Sequence, residues 1–136
     1  MTEPDPSAAS AEVMGYHQAQ DLPGVRAFAQ RRSERLGLAP DQVMSLTIAV
    51  SELVTNTLQH TSGGGRVWIR AEDGYVVCDV IDGGPMRAFG RPMPTPEARR
   101  GRGLAIVERL CDQVDAIAAA EGTIVRMRFG IAPRGS

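Results

Sequence analysis

The chain lacks most of the features that would tie it to a special environment. It has only two cysteines in 136 residues, Cys78 and Cys111, each inside an apolar segment. A disulfide framework or a zinc site needs more ligands at closer spacing, so the two read as buried thiols in a reducing compartment. No apolar run reaches the roughly 18 to 20 residues of a membrane span. The opening residues, MTEPDPSAASAE, carry acids and prolines and lack the basic start and apolar centre of a signal peptide. The expected location is therefore the cytoplasm. An excess of one charge is missing too. The formal net charge is −1, which supplies no general attraction to nucleic acid or to an anionic membrane. No internal repeat is visible.

What is present suits one domain with one core. Hydrophobic residues make up 43% and charged residues 23% of the chain, enough for a packed interior. Residues 1–12 read as a disordered tail and 131–136 as a frayed end, with the domain between them over 13–130. Val13 to Tyr16 suits a short edge strand. Leu22-Pro23-Gly24 opens a helix with Asp21 near its start, and Val25, Phe28, Ala29, Arg32 and Leu36 follow a helical repeat that Gly37 ends. Ala39-Pro40-Asp41 opens a second helix running to about His60, with Val43, Leu46, Val50, Leu53, Val54 and Thr57 as its apolar stripe. The run Thr61 to Gly65 breaks it.

The period then changes. RVWIRAE and YVVCDVID are rich in β-branched and aromatic residues around Glu72-Asp73-Gly74, which is a hairpin signal. Gly83 to Arg100, broken by glycines and prolines, reads as a long loop of the kind that is functional or mobile. Gly101 to Cys111 suits a third helix. Gln113 to Ala120 and Thr123 to Phe129 suit a second hairpin, turned at Glu121-Gly122. The expected fold class is α+β: a two-layer α/β sandwich with a mostly antiparallel sheet and its helices on one face.

Three constellations could carry chemistry. On the second helix, Glu52, Asn56 and His60 are spaced i, i+4, i+8, in one row along the margin of the apolar stripe. The amide oxygen of Asn56 is a hard, neutral ligand suited to Mg²⁺. Glu52, one turn earlier, could accept a proton from an attacking hydroxyl or water. Taken by itself, the row reads more simply as a solvated helix face. Next, Asp82-Gly83-Gly84-Pro85 ends an apolar strand. An aspartate there can accept from an exocyclic amine such as that of adenine, and Gly84 lets a flat ring approach the backbone. Taken by itself, this is more simply a turn. Last, Arg99-Arg100-Gly101-Arg102-Gly103-Leu104 at a helix start is either a phosphate cradle or a flexible basic loop. It lacks the Lys-Ser/Thr ending of a Walker loop and does not directly follow a strand. The three together, in this order, are more specific than any one.

In that order they resemble the superfamily shared by gyrase, histidine kinases, the heat-shock chaperone ATPase and the mismatch-repair ATPase. Within it, the chain most resembles the bacterial anti-sigma-factor serine kinases. AVSELVTNTLQH is similar to that family's N box, VIDGG to its adenine-binding box, GRGLAIVERLCD to its second glycine box and GTIVRMRF to its closing strand. The resemblance covers roughly residues 13 to 130. It implies the Bergerat-type ATP-binding fold, with ATP and Mg²⁺ as ligands. Asn56 would coordinate Mg²⁺, and Asp82 would accept from the adenine amino group with Thr123 nearby. Gly84 would give the ring room, and Gly101, Arg102, Gly103 and Leu104 would supply lid and phosphate contacts. Glu52 would be the general base toward a partner's serine hydroxyl. Phosphoryl transfer relies mostly on positioning and charge neutralisation, which suits so sparse a set. One departure is Met86, after Pro85, where the family's first glycine box often has glycine. No dimerisation helices or phosphoacceptor histidine segment precede the domain, so a histidine-kinase role is not expected, and His60, which sits in the N box, would be structural or line the pocket.

The resemblance implies an ATP-binding regulator that binds a sigma factor and phosphorylates a small anti-anti-sigma antagonist, with a homodimer through the first helix and strand. Met86 motivates a second reading, a non-catalytic module that uses nucleotide only to set its shape. A dinucleotide-binding redox domain is a third reading, and no strand-glycine-helix unit opens the chain to support it.

Overall fold

The computed structural model describes residues 12–60, 64–82, 105–119 and 122–131. The expected tails, apart from Glu12 and Ile131, and the expected loop from Gly83 to Arg100 lie outside them. The elements are β1 (Val13–Tyr16), a single 3-10 turn (Ala19–Asp21), α1 (Leu22–Arg35), α2 (Pro40–His60), β2 (Gly65–Glu72), β3 (Tyr75–Asp82), α3 (Ala105–Leu110), β4 (Gln113–Ala119) and β5 (Gly122–Gly130). The 3-10 turn had no period to announce it. It is held by Asp21, whose Oδ2 accepts the backbone N–H groups of His17 at 2.7 Å and Gln18 at 3.1 Å. Those bonds hold the Asp21 carboxyl below the usual carboxylate range.

The two long helices end where local chemistry dictates. Gly37 takes φ +105°, the left-handed geometry that closes α1. Pro40 opens α2 at the position where a missing N–H costs nothing. Gln42 folds back over that start: its Oε1 accepts the Ala39 N–H at 3.1 Å, and its Nε2 donates to the Gly130 carbonyl at 2.6 Å, tying the helix to the end of β5. No described helix is long and apolar enough to cross a membrane.

The strands form one five-stranded sheet in the order β1-β2-β3-β5-β4, with every pairing antiparallel. The β2–β3 hairpin turns on Asp73 and Gly74, at φ 52° and 84°. Positive φ at both positions is the turn whose twist matches the flanking strands. The period of two then sorts side chains between faces. Val67 and Ile69, Val76, Cys78 and Val80, and Val125, Met127 and Phe129 join one core with the buried side of α1 and α2. The stripe read from sequence on α2 is buried throughout: Val43 and Leu53 are 5% exposed, Thr57 is 3%, and Leu46, Val50 and Val54 are fully covered. This is the α+β sandwich expected, with helices on one face of an antiparallel sheet.

The opposite face of the sheet is not simply polar. β3 is buried from Val76 to Asp82 without alternation. On the face turned from the helices it carries Asp79, which is 1% exposed. Arg126 on β5 reaches both oxygens of that carboxylate, Nε to Oδ1 at 2.9 Å and Nη2 to Oδ2 at 3.0 Å. Arg70 on β2 adds Nη1 to Oδ2 at 3.2 Å, and its Nε meets Glu72 at 2.7 Å while its guanidinium lies 3.6 Å from the Trp68 ring centre. The chain contains no lysine, so its side-chain cations, histidine aside, are all guanidiniums, whose planar fork suits paired contact with a carboxylate.

Two measurements check this packing. Asp79→Ala leaves two arginines without their shared acid on a largely covered face, and denaturant unfolding should show a loss of about 3 kcal/mol. Arg126→Ala should cost less, because its side chain is 28% exposed. An Asp79→Ala chain as stable as wild type would show that the network contributes nothing. The second measurement concerns the thiols. Burial pushes Cys78 far up, and burial with the nearby Asp112 charge pushes the half-buried Cys111 up to about 11. At pH 8 iodoacetamide should leave Cys78 untouched and modify Cys111 slowly, and both should react once guanidinium unfolds the chain. Rapid loss of the native Cys78 thiol would contradict its burial.

Candidate functional site

The last residue of β3 lies on the other side of the strand from Asp79. Asp82 shares its parity with Val76, Cys78 and Val80, so it belongs to the helix-facing side, and it is 3% exposed. Its neighbour on β2 is Gly65. The β3–β5 register runs to Ile81 opposite Ile124, and Asp82 and Thr123 are the next residue of each strand beyond that last pair. Thr123 is also buried, at 7% exposure. A carboxylate and a hydroxyl therefore sit on adjacent strands at one end of the sheet, two residues that are far apart in the chain.

That end is built to bring backbones close together. A Cβ on Gly122 would lie 2.2 Å from the Asp82 carbonyl oxygen, and Gly122 has φ +143°. A Cβ on Gly65 would lie 2.0 Å from the Ile81 oxygen and 2.6 Å from the Tyr16 hydroxyl. That hydroxyl donates to the Ile81 carbonyl at 3.4 Å, joining β1 to β3 at the same end. From sequence these glycines read only as turn and breaker residues, because the atoms that exclude a side chain come from other strands.

α2 packs against β2 and β3. Its polar row emerges at the margin of the buried stripe: Glu52 is exposed and Asn56 is half-buried. His60 ends the helix, and its side chain lies outside the described residues. Next to Glu52, the Ser51 Oγ accepts a hydrogen bond from Arg26 Nε on α1 at 3.2 Å. Nothing in the local pattern pointed to Arg26. It lies off the apolar repeat of α1, and only the antiparallel packing of the two helices brings it to Ser51.

Gly84, Met86, Gly101, Arg102, Gly103 and Leu104 lie outside the described residues. The third helix of the sequence reading is described from Ala105, where Ala105 and Ile106 are exposed and Val107 is buried. The described residues thus bring Asp82 and Thr123 together at the sheet end and carry Glu52 and Asn56 on the helix layered against it. A carboxylate beside a hydroxyl suits an exocyclic amine, and a neutral amide oxygen suits a hard cation.

Two of the positive-φ glycines, Gly122 and Gly74, make a paired test of the close approach at Asp82. Gly122→Ala meets the Asp82 backbone as well as an unfavourable φ, and should lose about 2 to 3 kcal/mol in thermal unfolding. Gly74→Ala, at φ +84° with nothing within 4 Å of the added carbon, should lose only about 1 kcal/mol. Equal losses would remove the close approach at Asp82.

Among solved structures, the RsbU and RsbW domains of Rv1364c from Mycobacterium tuberculosis are similar, with 22% identity and a TM-score of 0.64. The alignment covers 88% of this chain and 32% of that one, so this chain spans about a third of the other's length. At that identity the likeness speaks for the fold. No curated protein matches the chain. The family described as "Histidine kinase-like ATPase domain" matches residues 17–129, a span that holds Glu52, Asn56, Asp82 and Thr123. The chain therefore belongs to the histidine kinase-like ATPase domain family.

Proposed function

We propose that this ATPase-family domain is a cytoplasmic switch protein that binds ATP with Mg²⁺ and transfers its γ-phosphoryl group to a serine of a small antagonist protein. In the ATP-bound form it holds a sigma factor. The observation that carries the reading is the placement of Asp82 beside Thr123 at the sheet end, under a helix that bears Glu52 and Asn56 in one row. The N-box and glycine-box sequences quoted above support it.

Asp82 accepts the adenine amino group, with the Thr123 hydroxyl as the adjacent partner, and Gly84 leaves room for the ring. Asn56 supplies the amide oxygen for Mg²⁺, which neutralises charge on the phosphates. Gly101, Arg102, Gly103 and Leu104 offer backbone N–H groups and positive charge to the phosphates. Glu52 accepts the proton of the serine hydroxyl as that oxygen bonds to the γ-phosphorus. The bond to the β-phosphate oxygen then breaks, leaving ADP and phosphoserine. The exposure of Glu52 suits this role, because its co-reactant is a protein that must approach from solvent.

Met86 in the first glycine box favours a second reading, a clamp that binds ATP and partner without transfer. Purified chain with ATP, Mg²⁺ and candidate antagonists separates the two. Under the kinase reading, phosphoserine forms on one antagonist, and Glu52→Ala lowers the rate by about 10² to 10⁴ with ATP affinity unchanged. Asn56→Ala and Asp82→Ala should each weaken ATP binding by calorimetry, the latter about 10- to 100-fold through loss of one charged hydrogen bond. Transfer at an unchanged rate in Glu52→Ala would remove the base from the mechanism. ATP binding with no transfer to any antagonist would select the clamp.

A further inference from the structure

α1 and α2 leave a groove of about 370 Å³ between them, away from the sheet. Leu38 and Val43 belong to its lining, with Met44 and Ile48 on the α2 side and Gln30 and Glu34 on the α1 side. Met44 is 64% exposed and Ile48 is 43% exposed, although both are large and apolar. They are not scattered. Met44, Ile48, Glu52 and Asn56 recur every four residues, so the exposed apolar pair occupies the two turns that precede the proposed base. Each step along that row is about 6 Å. Ile48 is therefore one step and Met44 two steps from Glu52.

The groove also has polarity. Arg26, Gln30 and Glu34 recur every four residues on α1, antiparallel to the α2 row. The Arg26–Ser51 hydrogen bond marks the end beside Glu52. Glu34 lines the groove toward its other end, is exposed, and makes no ion pair among the described residues. An occupant must therefore offer apolar groups to the floor and positive charge to Glu34.

We propose that this groove docks the segment of the protein substrate that flanks its phosphorylated serine, with an apolar side chain against Met44 and Ile48 and a basic residue at Glu34. The inference rests on the kinase reading of Glu52 and adds what selects the substrate. An extended segment advances about 3.3 Å per residue, so the apolar positions fall about two and four residues from the serine. Two other occupants are outcomes of the test. A second copy in a two-fold contact would have to set one of its own arginines against Glu34. The chain's own opening, MTEPDPSAASA, has Glu3 and Asp5 but no basic residue to offer Glu34, and no large apolar residue after Met1.

The probes are fluorescein-labelled peptides with a central alanine in place of serine, measured by anisotropy on the full chain with ATP and Mg²⁺. One set has leucines two and four residues from the centre and lysine beyond them, on either side. A second set has glutamate in place of that lysine, and a third is polar throughout. The leucine–lysine set should bind at least tenfold more tightly than the others. The double variant Met44→Ser/Ile48→Ser should lose that margin, and Glu34→Lys should shift the preference to glutamate, with ATP affinity unchanged in both. Equal binding of the three sets, or a margin untouched by these variants, overturns the proposal. So does tighter binding after removal of residues 1–11, or a dimer that the double variant dissociates, because each assigns the groove to another occupant. Serine versions of the same peptides, with labelled ATP, keep the two readings apart. A docking margin without phosphoryl transfer defeats the kinase reading and leaves the groove as a docking site. Transfer without a margin defeats the groove and leaves the kinase.

Discussion

The register of β3 is the constraint on which the other features depend. This central strand presents Asp79 to one face of the sheet and Asp82 to the other. A slip of one residue would exchange the faces, turning Asp79 toward the helical core and Val76, Cys78, Val80 and Asp82 away from it. A carboxylate buried without a partner costs several kcal/mol, so the slipped pairing is strongly disfavoured. Arg70 and Arg126 make the native register the satisfied one, because they reach Asp79 from the strands on either side. The same three-strand clamp thereby holds Asp82 beside Gly65 and Thr123. An ion network on one face sets the geometry of a candidate nucleotide site on the other.

α2 plays the corresponding part in the helical layer. Its buried stripe seats it on β2 and β3, and that seating decides where its other rows point. One row leaves the core obliquely. Asn56 is half-buried toward the sheet end, Glu52 is exposed, and Ile48 and Met44 continue into the groove beside α1. Because one uninterrupted helix carries all four, the spacing between groove and base is set by helix geometry. In the proposed function, nucleotide chemistry is assigned to the sheet end and substrate choice to the helix pair. The Arg26–Ser51 bond marks where the two regions meet.

Much of this arrangement was legible in the sequence, for identifiable reasons. Periods of 3.6 and 2 are local, so α1, α2 and both hairpins were readable, as were the ends set by Gly37, Pro40 and Asp73-Gly74. The buried side of α2 matched its apolar stripe residue by residue. The 3-10 turn was not readable, because it rests on one carboxylate and carries no hydrophobic period. Asp79 was hidden within YVVCDVID, where it reads as one polar interruption of a buried strand. Its partners Arg70 and Arg126 are 9 and 47 residues away.

The sequence by itself determined the elements, the acid and amide of the α2 row, and the strand end at Asp82. Each depends on neighbours within a turn or a hairpin. Only the tertiary structure decided that β5 lies between β3 and β4, which brings Thr123 to the sheet end that carries Asp82. It likewise decided that Gly65 and Gly122 must lack side chains and that Met44 and Ile48 flank a groove with Glu34 on its other wall. These are relations between segments distant in sequence. They arise when packing chooses one strand order and one helix pairing, and no local period encodes that choice.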